Sequence, residues 1–281
     1  MRFEKWQALG NDYVIVERGA LPWDLTPARI RRLCEGHTGI GSDGILLISE
    51  TDEPACVAEV RIFNPDGSEA ELSGNGVRQA VLYLEHAKWT SDGGAFCVVT
   101  EAGKIGATIT APDTATLEMG RASVRSSDYP GGPPDGRGAL RAGGREWSFQ
   151  HVSIGNPQCV IEAGDEVEEL DLARIGPEIE NADLFPNRTN ASFIRIDGAT
   201  VRARIFERGV GETAASGTGA SGAAVAAFLR GAPGVITVQL DGGELAVEIS
   251  EELDVRLTGT ASCVYRGEIS GDLARDLADL G

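Results

Sequence analysis

The segment Arg61–Leu84, RIFNPDGSEAELSGNGVRQAVLYL, has a second version that begins at Arg204, RIFERGVGETAASGTGASGAAVAAFL. A constant shift of 143 residues superimposes Arg61 on Arg204, Phe63 on Phe206, Glu69 on Glu212, Ser73 on Ser216, Gly74 on Gly217 and Gly76 on Gly219. That period is too long for a solenoid unit and points to two similar domains. Each copy reads as strand, turn, then Ser-Gly-x-Gly opening a helix. We expect the domains to face one another, with both helix starts in one cleft.

A helix N-terminus has unpaired N–H groups and the positive end of the macrodipole, so it attracts anions. Glycine there weakens the helix but lets a ligand approach bare backbone. Serine is also among the best N-cap residues, so each serine on its own reads as a cap. Two glycine-flanked copies at one shift favour a paired carboxylate site. The helix after Ser216, Ala220–Leu229, is apolar nearly all round, which marks a helix enclosed on every side. The helix after Ser73 is similar, with Val77, Ala80, Val81, Leu82 and Leu84. Each domain is therefore expected to wrap a sheet around a central helix.

Composition removes several function classes. The 281 residues suffice for two cores, and a formal net charge of −18 argues against nucleic acid as a partner. No apolar run is long enough for a membrane span, and the start MRFEKWQALGND lacks a signal-peptide core, so a cytoplasmic location is expected. The five cysteines, Cys34, Cys56, Cys97, Cys159 and Cys263, show no paired spacing and read as buried, reduced thiols. His37, His86 and His151 are scattered, and no metal-ligand spacing is present.

Along the chain, Phe3–Leu9 and Tyr13–Val16 read as strands around the turn Gly10-Asn11-Asp12, and Thr26–Cys34 as a helix with Pro27 in its first turn. Gly39–Gly44, GIGSDG, matches the dinucleotide-binding pattern only in letters. A helix precedes it and the strand Ile45–Ile48 follows, the reverse of what that motif needs. Strands are expected at Glu101–Ile109, Ala115–Met119, Arg145–His151 and Gln158–Ile161. Tyr129–Gly144 reads as a long glycine- and proline-rich loop, and Asp165–Asp171 as a solvated acidic helix face. Val235–Leu240, Glu244–Ile249 and Leu253–Leu257 read as hairpin strands, and Val264–Glu268 as a last strand.

The twin helix starts occur with LGNDYVIVE, GNPQ at Gly155–Gln158, RTN at Arg188–Asn190 and ERG at Glu207–Gly209. Together they resemble the diaminopimelate epimerase family over almost the whole chain. The resemblance implies an α/β (α+β) fold of two pseudo-symmetric domains, each a curved, mostly antiparallel sheet around a central helix. It places the domains at residues 1–118 with 263–281, and at 119–262, because the last strand resembles the family's segment that returns to the first domain. It further implies a cofactor-independent, metal-free epimerase of LL- and meso-diaminopimelate, working as a homodimer by two-base proton transfer.

The family's two cysteines are here Ser73 and Ser216. Its histidine after GNP is Gln158, and its glutamine at the end of the GxD segment is Gly44. Asn11, Asn64, Asn75, Asn156, Asn190, Glu207 and Arg208 match residues that hold the family's substrate. Gly74, Gly217 and Thr218 belong to the helix starts that would receive its α-carboxylate. An alcohol ionises near 15.7 and a thiol near 8.5, so a serine base costs roughly 10 kcal/mol more. Glu207 is expected to accept a proton from Ser216 or to act as base itself. For Arg208 the alternative is a surface ion pair with Glu207 or Glu212. A lyase or dehydratase, or an amino acid-binding protein on the same fold, is the alternative function. A serine hydrolase is weaker, since neither serine stands in G-x-S-x-G.

Overall fold

The structure, a computed structural model, describes residues 1–90 and 94–280. The chain divides into two compact units, Met1–Leu117 with Gly259–Gly281, and Glu118–Thr258.

The first unit opens with β1 (Arg2–Ala8), β2 (Asn11–Glu17), α1 (Pro27–Cys34), β3 (Ile45–Ser49), β4 (Ala58–Phe63) and β5 (Glu69–Ala70). It continues through α2 (Gly74–His86), β6 (Ala95–Thr100), β7 (Gly103–Ala111) and β8 (Thr114–Arg121). In the second unit come β9 (Arg137–Ala142), β10 (Arg145–Ser153), β11 (Pro157–Glu162), α3 (Leu172–Glu180), β12 (Asn190–Asp197) and β13 (Thr200–Glu207). After these follow β14 (Gly211–Thr213), α4 (Gly217–Phe228), β15 (Val235–Leu240), β16 (Gly243–Ile249) and β17 (Asp254–Thr260). The chain then returns to the first unit with β18 (Ser262–Glu268) and α5 (Gly271–Asp279).

The repeat extends far beyond the two motifs. In the first unit β2 is antiparallel to β1 and parallel to β3, β4 is antiparallel to β3 and β5 and parallel to β6, and β7 is antiparallel to β6. In the second unit β10 to β16 pair in the same order and the same senses. The flanking strand β18 lies antiparallel on β1, as β9 lies on β10. Two mixed sheets of one topology result, each mostly antiparallel.

The central helices are buried as their composition requires. Every residue of α2 from Gly74 to Leu84 and of α4 from Gly217 to Ala227 is buried. A helix enclosed all round gains burial on every face, about 1.5–3 kcal/mol for each large apolar side chain. A charge at Val225, which is 0 % exposed, would forfeit that and leave an unpaired ion. On the outer side of the first sheet, α1 covers Val14, Val16, Ile45 and Leu47 with Ile30 and Leu33. On the second, α3 contributes Leu172, Ile175 and Ile179 to a core with Trp147, Phe149, Phe185 and Phe193.

Four local expectations need correction. Tyr129–Gly144 contains β9, paired with β10 from Arg137↔Gln150 to Ala142↔Arg145; apart from Gly138, which pairs with Phe149 inside the strand, its glycines and prolines precede the strand or form its hairpin turn. The strand expected from Glu101 starts at Gly103, because Glu101 and Ala102 belong to the turn after β6. The acidic stretch is exposed, as expected, but its helix is only a short 3-10 one, Gly164–Glu168, with Glu166 paired to Arg145 at 2.6 Å and Glu168 to Arg202 at 2.7 Å; Asp171 then caps α3. Finally, Cys56 and Cys97 form a disulfide. Val57 N–H donates to Cys97 C=O at 2.9 Å where β4 runs parallel to β6, so the sheet brings together thiols 41 residues apart. Cys34, Cys159 and Cys263 remain thiols, and burial pushes each of them up.

No helix among the described residues is long and apolar enough to cross a membrane. The described residues contain no His, Cys, Asp and Glu grouping suited to a metal ion.

Candidate active site

In the first unit the GND turn and the GSD loop are locked together through Asp43. Its Oδ2 accepts from Asn11 Nδ2 and from Asp12 N–H, each at 3.0 Å, while Asp43 N–H donates to Asp12 Oδ1 at 3.0 Å. Lys5 pairs with Asp12 at 2.9 Å, which offsets the charge of the neighbouring carboxylates. The carbonyl of Asn11 accepts from Gln79 Nε2 of α2 at 3.0 Å, so the turn is pinned to the central helix. Asn64 sits in the NPDG turn after β4, where its side chain donates to Ser68 Oγ at 3.0 Å.

Ser73 is the N-cap of α2, and its Oγ accepts from Gly76 N–H at 3.0 Å. Beneath this helix start lies Arg78, 0 % exposed. Its guanidinium donates to Thr260 C=O at 3.0 Å, Gly74 C=O at 3.4 Å and Asn75 Oδ1 at 2.9 Å. Burial lowers the guanidinium to about 10, so it stays protonated near neutrality. A buried cation thus adds to the helix end's attraction for an anion.

Gly44 has a packing reason. A Cβ there would lie 2.3 Å from Phe63 C=O and 2.6 Å from the Tyr13 ring. Only glycine lets the Tyr13 ring occupy that place, where its hydroxyl donates to Ser73 Oγ at 3.4 Å.

The second unit holds its expected residues in three hydrogen-bonded groups, around Glu207, Asn190 and Asn156. Ser216 caps α4 and accepts from Gly219 N–H at 3.2 Å, matching Ser73. Unlike Ser73, it has a carboxylate partner: Ser216 Oγ donates to Glu207 Oε2 at 2.8 Å, and Thr213 Oγ1 donates to Glu207 Oε1 at 2.7 Å. Glu207 lies at the end of β13, and Thr213 ends β14, which folds back along it with Glu207↔Gly211 in register. Burial pushes the Glu207 carboxyl above its ordinary value, and the two hydroxyl donors pull it partly back.

Arg208 forms no ion pair among the described residues. Its backbone N–H donates to Asn190 Oδ1 at 2.8 Å, and its guanidinium donates to Asn187 C=O at 2.9 Å. Glu212 is taken by Arg204 at 2.6 Å, as Glu69 is taken by Arg61 at 2.7 Å, so the surface ion pair considered for Arg208 does not form. Asn190 also donates to Pro157 C=O at 2.9 Å. Asn156 Nδ2 donates to Thr218 Oγ1 at 3.1 Å, and Gln158 Nε2 donates to Asn156 Oδ1 at 2.6 Å. Gln158 is 0 % exposed and packs where a Cβ on Gly222 of α4 would lie 2.8 Å from its Cγ. Its amide fixes Asn156 but carries no titratable proton, so it is no base.

Sequence reasoning did not single out Tyr13, Asp43, Arg78 or Thr213. Arg78 was within reach, being a charge in the apolar part of the helix between Val77 and Leu84. The other three act through tertiary approach that no local pattern announces.

A model of the diaminopimelate epimerase family matches residues 3–125 and 150–264. A diaminopimelate epimerase of Synechococcus sp. (strain JA-3-3Ab) is 39% identical over 279 residues, covering 95% of this chain and 97% of the relative. Diaminopimelate epimerase 2 of Nostoc sp. (strain PCC 7120) is 38% identical and covers 97% of both chains. Among solved structures, a probable proline racemase from Agrobacterium radiobacter K84 with bound carbonate superimposes with a TM-score of 0.70 at 14% identity, over 96% of this chain and 93% of that one. This last likeness bears on the fold.

Proposed function

The chain belongs to the diaminopimelate epimerase family and is an isomerase, and we propose that it interconverts LL- and meso-diaminopimelate by proton transfer at the α-carbon. The observation that carries the chemistry is the hydrogen bond from Ser216 Oγ to Glu207 Oε2 at the start of α4. As Ser216 Oγ takes the α-proton, its own proton passes to Glu207, and no free alkoxide is required. Ser73, at the start of α2, serves the opposite face of the carbon.

Binding follows from the same elements. The glycine-flanked helix starts, at Gly74-Asn75 and Gly217-Thr218, turn the positive end of each helix dipole toward the α-carboxylate. The Arg208 guanidinium, which among the described residues donates to the Asn187 carbonyl alone, is available to take the distal carboxylate bidentately. Asn11, Asn64, Asn156, Asn190 and Glu207 hold the amino groups. The chain's own residues move the proton, and no cofactor enters the scheme. A homodimer in the cytoplasm completes the proposal, and sedimentation tests the assembly.

The test is product identity. LL-diaminopimelate incubated with the protein should yield the meso form on chiral chromatography. Release of water or ammonia would indicate a lyase or dehydratase on this fold, and tight binding with no conversion an amino acid-binding protein.

A further inference from the structure

The two capping serines are wired with opposite polarity. Ser216 accepts from a backbone N–H and donates to a carboxylate. Ser73 accepts twice, from Gly76 N–H at 3.0 Å and from the Tyr13 hydroxyl at 3.4 Å. A hydroxyl has two lone pairs and one proton, so these two donors occupy the lone pairs and leave the Ser73 proton to point elsewhere. Tyr13 is 5 % exposed, and its ring is seated where only glycine at position 44 leaves room. The replacement at Gly44, the tyrosine and the serine are one packed unit.

We propose that Tyr13 is the positioning residue of Ser73 and the proton source behind it. This rests on the α-carbon proton transfer proposed above. When the carbanion forms, the Ser73 O–H bond breaks toward the α-carbon and a new C–H bond forms. The Tyr13 O–H bond breaks in turn, its proton re-forms the Ser73 hydroxyl, and the charge ends on the phenol oxygen. Over the turnover one proton is gained by Glu207 and one is lost by Tyr13; Glu207 then releases its proton to water and the Tyr13 phenolate takes one from water, which restores both groups before the next turnover. The relay is favourable because a phenol ionises near 10, whereas an alcohol ionises near water's roughly 15.7. It gives Ser73 a proton donor, as Glu207 gives Ser216 a proton acceptor, and explains how Ser73 serves with no carboxylate beside it among the described residues.

The test compares the parent, Tyr13→Phe, Ser73→Cys and the Tyr13→Phe/Ser73→Cys double variant. Deuterium incorporation into diaminopimelate is followed by mass spectrometry over long incubations, with circular dichroism to verify folding. A thiol ionises near 8.5 and has no need of the relay. Tyr13→Phe should therefore slow exchange at least about tenfold in the parent and less than about twofold beside Ser73→Cys. Equal losses in both backgrounds would make Tyr13 merely structural and overturn the relay, as would no loss in either. Carbon-13 labelling at the tyrosine ring carbon bearing oxygen gives a readout independent of turnover. The signal that Tyr13→Phe removes should shift on Ser73→Ala; an unmoved signal overturns the hydrogen bond. If all four proteins are folded and none exchanges, the epimerase proposal itself fails, and the relay falls with it.

Discussion

Ser216 Oγ donates to Glu207 Oε2 across 2.8 Å, at the N-cap of a helix buried on every side. The carboxylate is supplied by the end of β13, nine residues earlier, and Thr213 holds its other oxygen. Replacing Glu207 with Gln keeps the shape but removes the proton acceptor. Exchange of the diaminopimelate α-proton should fall by about 10²–10⁴-fold. An unchanged rate would place the base elsewhere.

The same carboxyl predicts a pH dependence of stability. Its folded pKa is raised by burial, so the folded protein holds that proton more tightly than the unfolded chain. The stability this contributes is fully present below the unfolded value and is lost as pH rises through the raised one. Glu207→Gln should therefore remove a loss of stability on going from acid to neutral pH. His151 works in the opposite sense: burial lowers it, against the pull of Asp128, and its Nδ1 is buried without a hydrogen-bond partner. Its contribution is present above the unfolded value and is lost as pH falls through the lowered one. Urea midpoints across pH should show both slopes, with only the Glu207 one absent from the variant. Identical profiles for parent and Glu207→Gln would contradict this assignment.

Arg208 provides a clean binding test. Its link to Asn190 runs through the backbone, so Arg208→Ala leaves the loop's anchor in place. Calorimetry should show a loss of about 1.5–3 kcal/mol in diaminopimelate affinity, the worth of a charge-assisted contact. Unchanged affinity would leave Arg208 with no role beyond its bond to Asn187.

Thiol titration under denaturing, non-reducing conditions should count three free cysteines, because Cys56 and Cys97 are bonded. Reduction should then cost about 2–4 kcal/mol of stability. Five titratable thiols before reduction would contradict the pairing.

The motifs were legible because helix capping and glycine approach are local chemistry, readable from four residues. The wider repeat was not. Arg61 and Arg204 correspond with a shift of 143, yet their partners on the neighbouring strands, Leu47 and Phe193, are 146 apart, so length changes hide the common topology. β9 was hidden by the Gly- and Pro-rich residues leading into it, and the disulfide by a separation of 41 residues. Tyr13 read as one more strand residue. Its place against Ser73 depends on α2 lying over β2 and on Gly44 beneath the ring.

The central claim is that the serine-capped helix starts carry out proton transfer at the α-carbon of diaminopimelate, with the serine hydroxyls as the limiting groups. It is tested most directly by measuring α-proton exchange in deuterated water for the parent, Ser73→Cys, Ser216→Cys and the double variant. Helix N-termini stabilise thiolates, and a two-base inversion needs both faces served. The double variant should therefore exchange at least about 10²-fold faster than the parent, and each single variant should gain less. A parent that exchanges as fast as the double variant, or four proteins that bind diaminopimelate and never exchange its α-proton, would contradict the account.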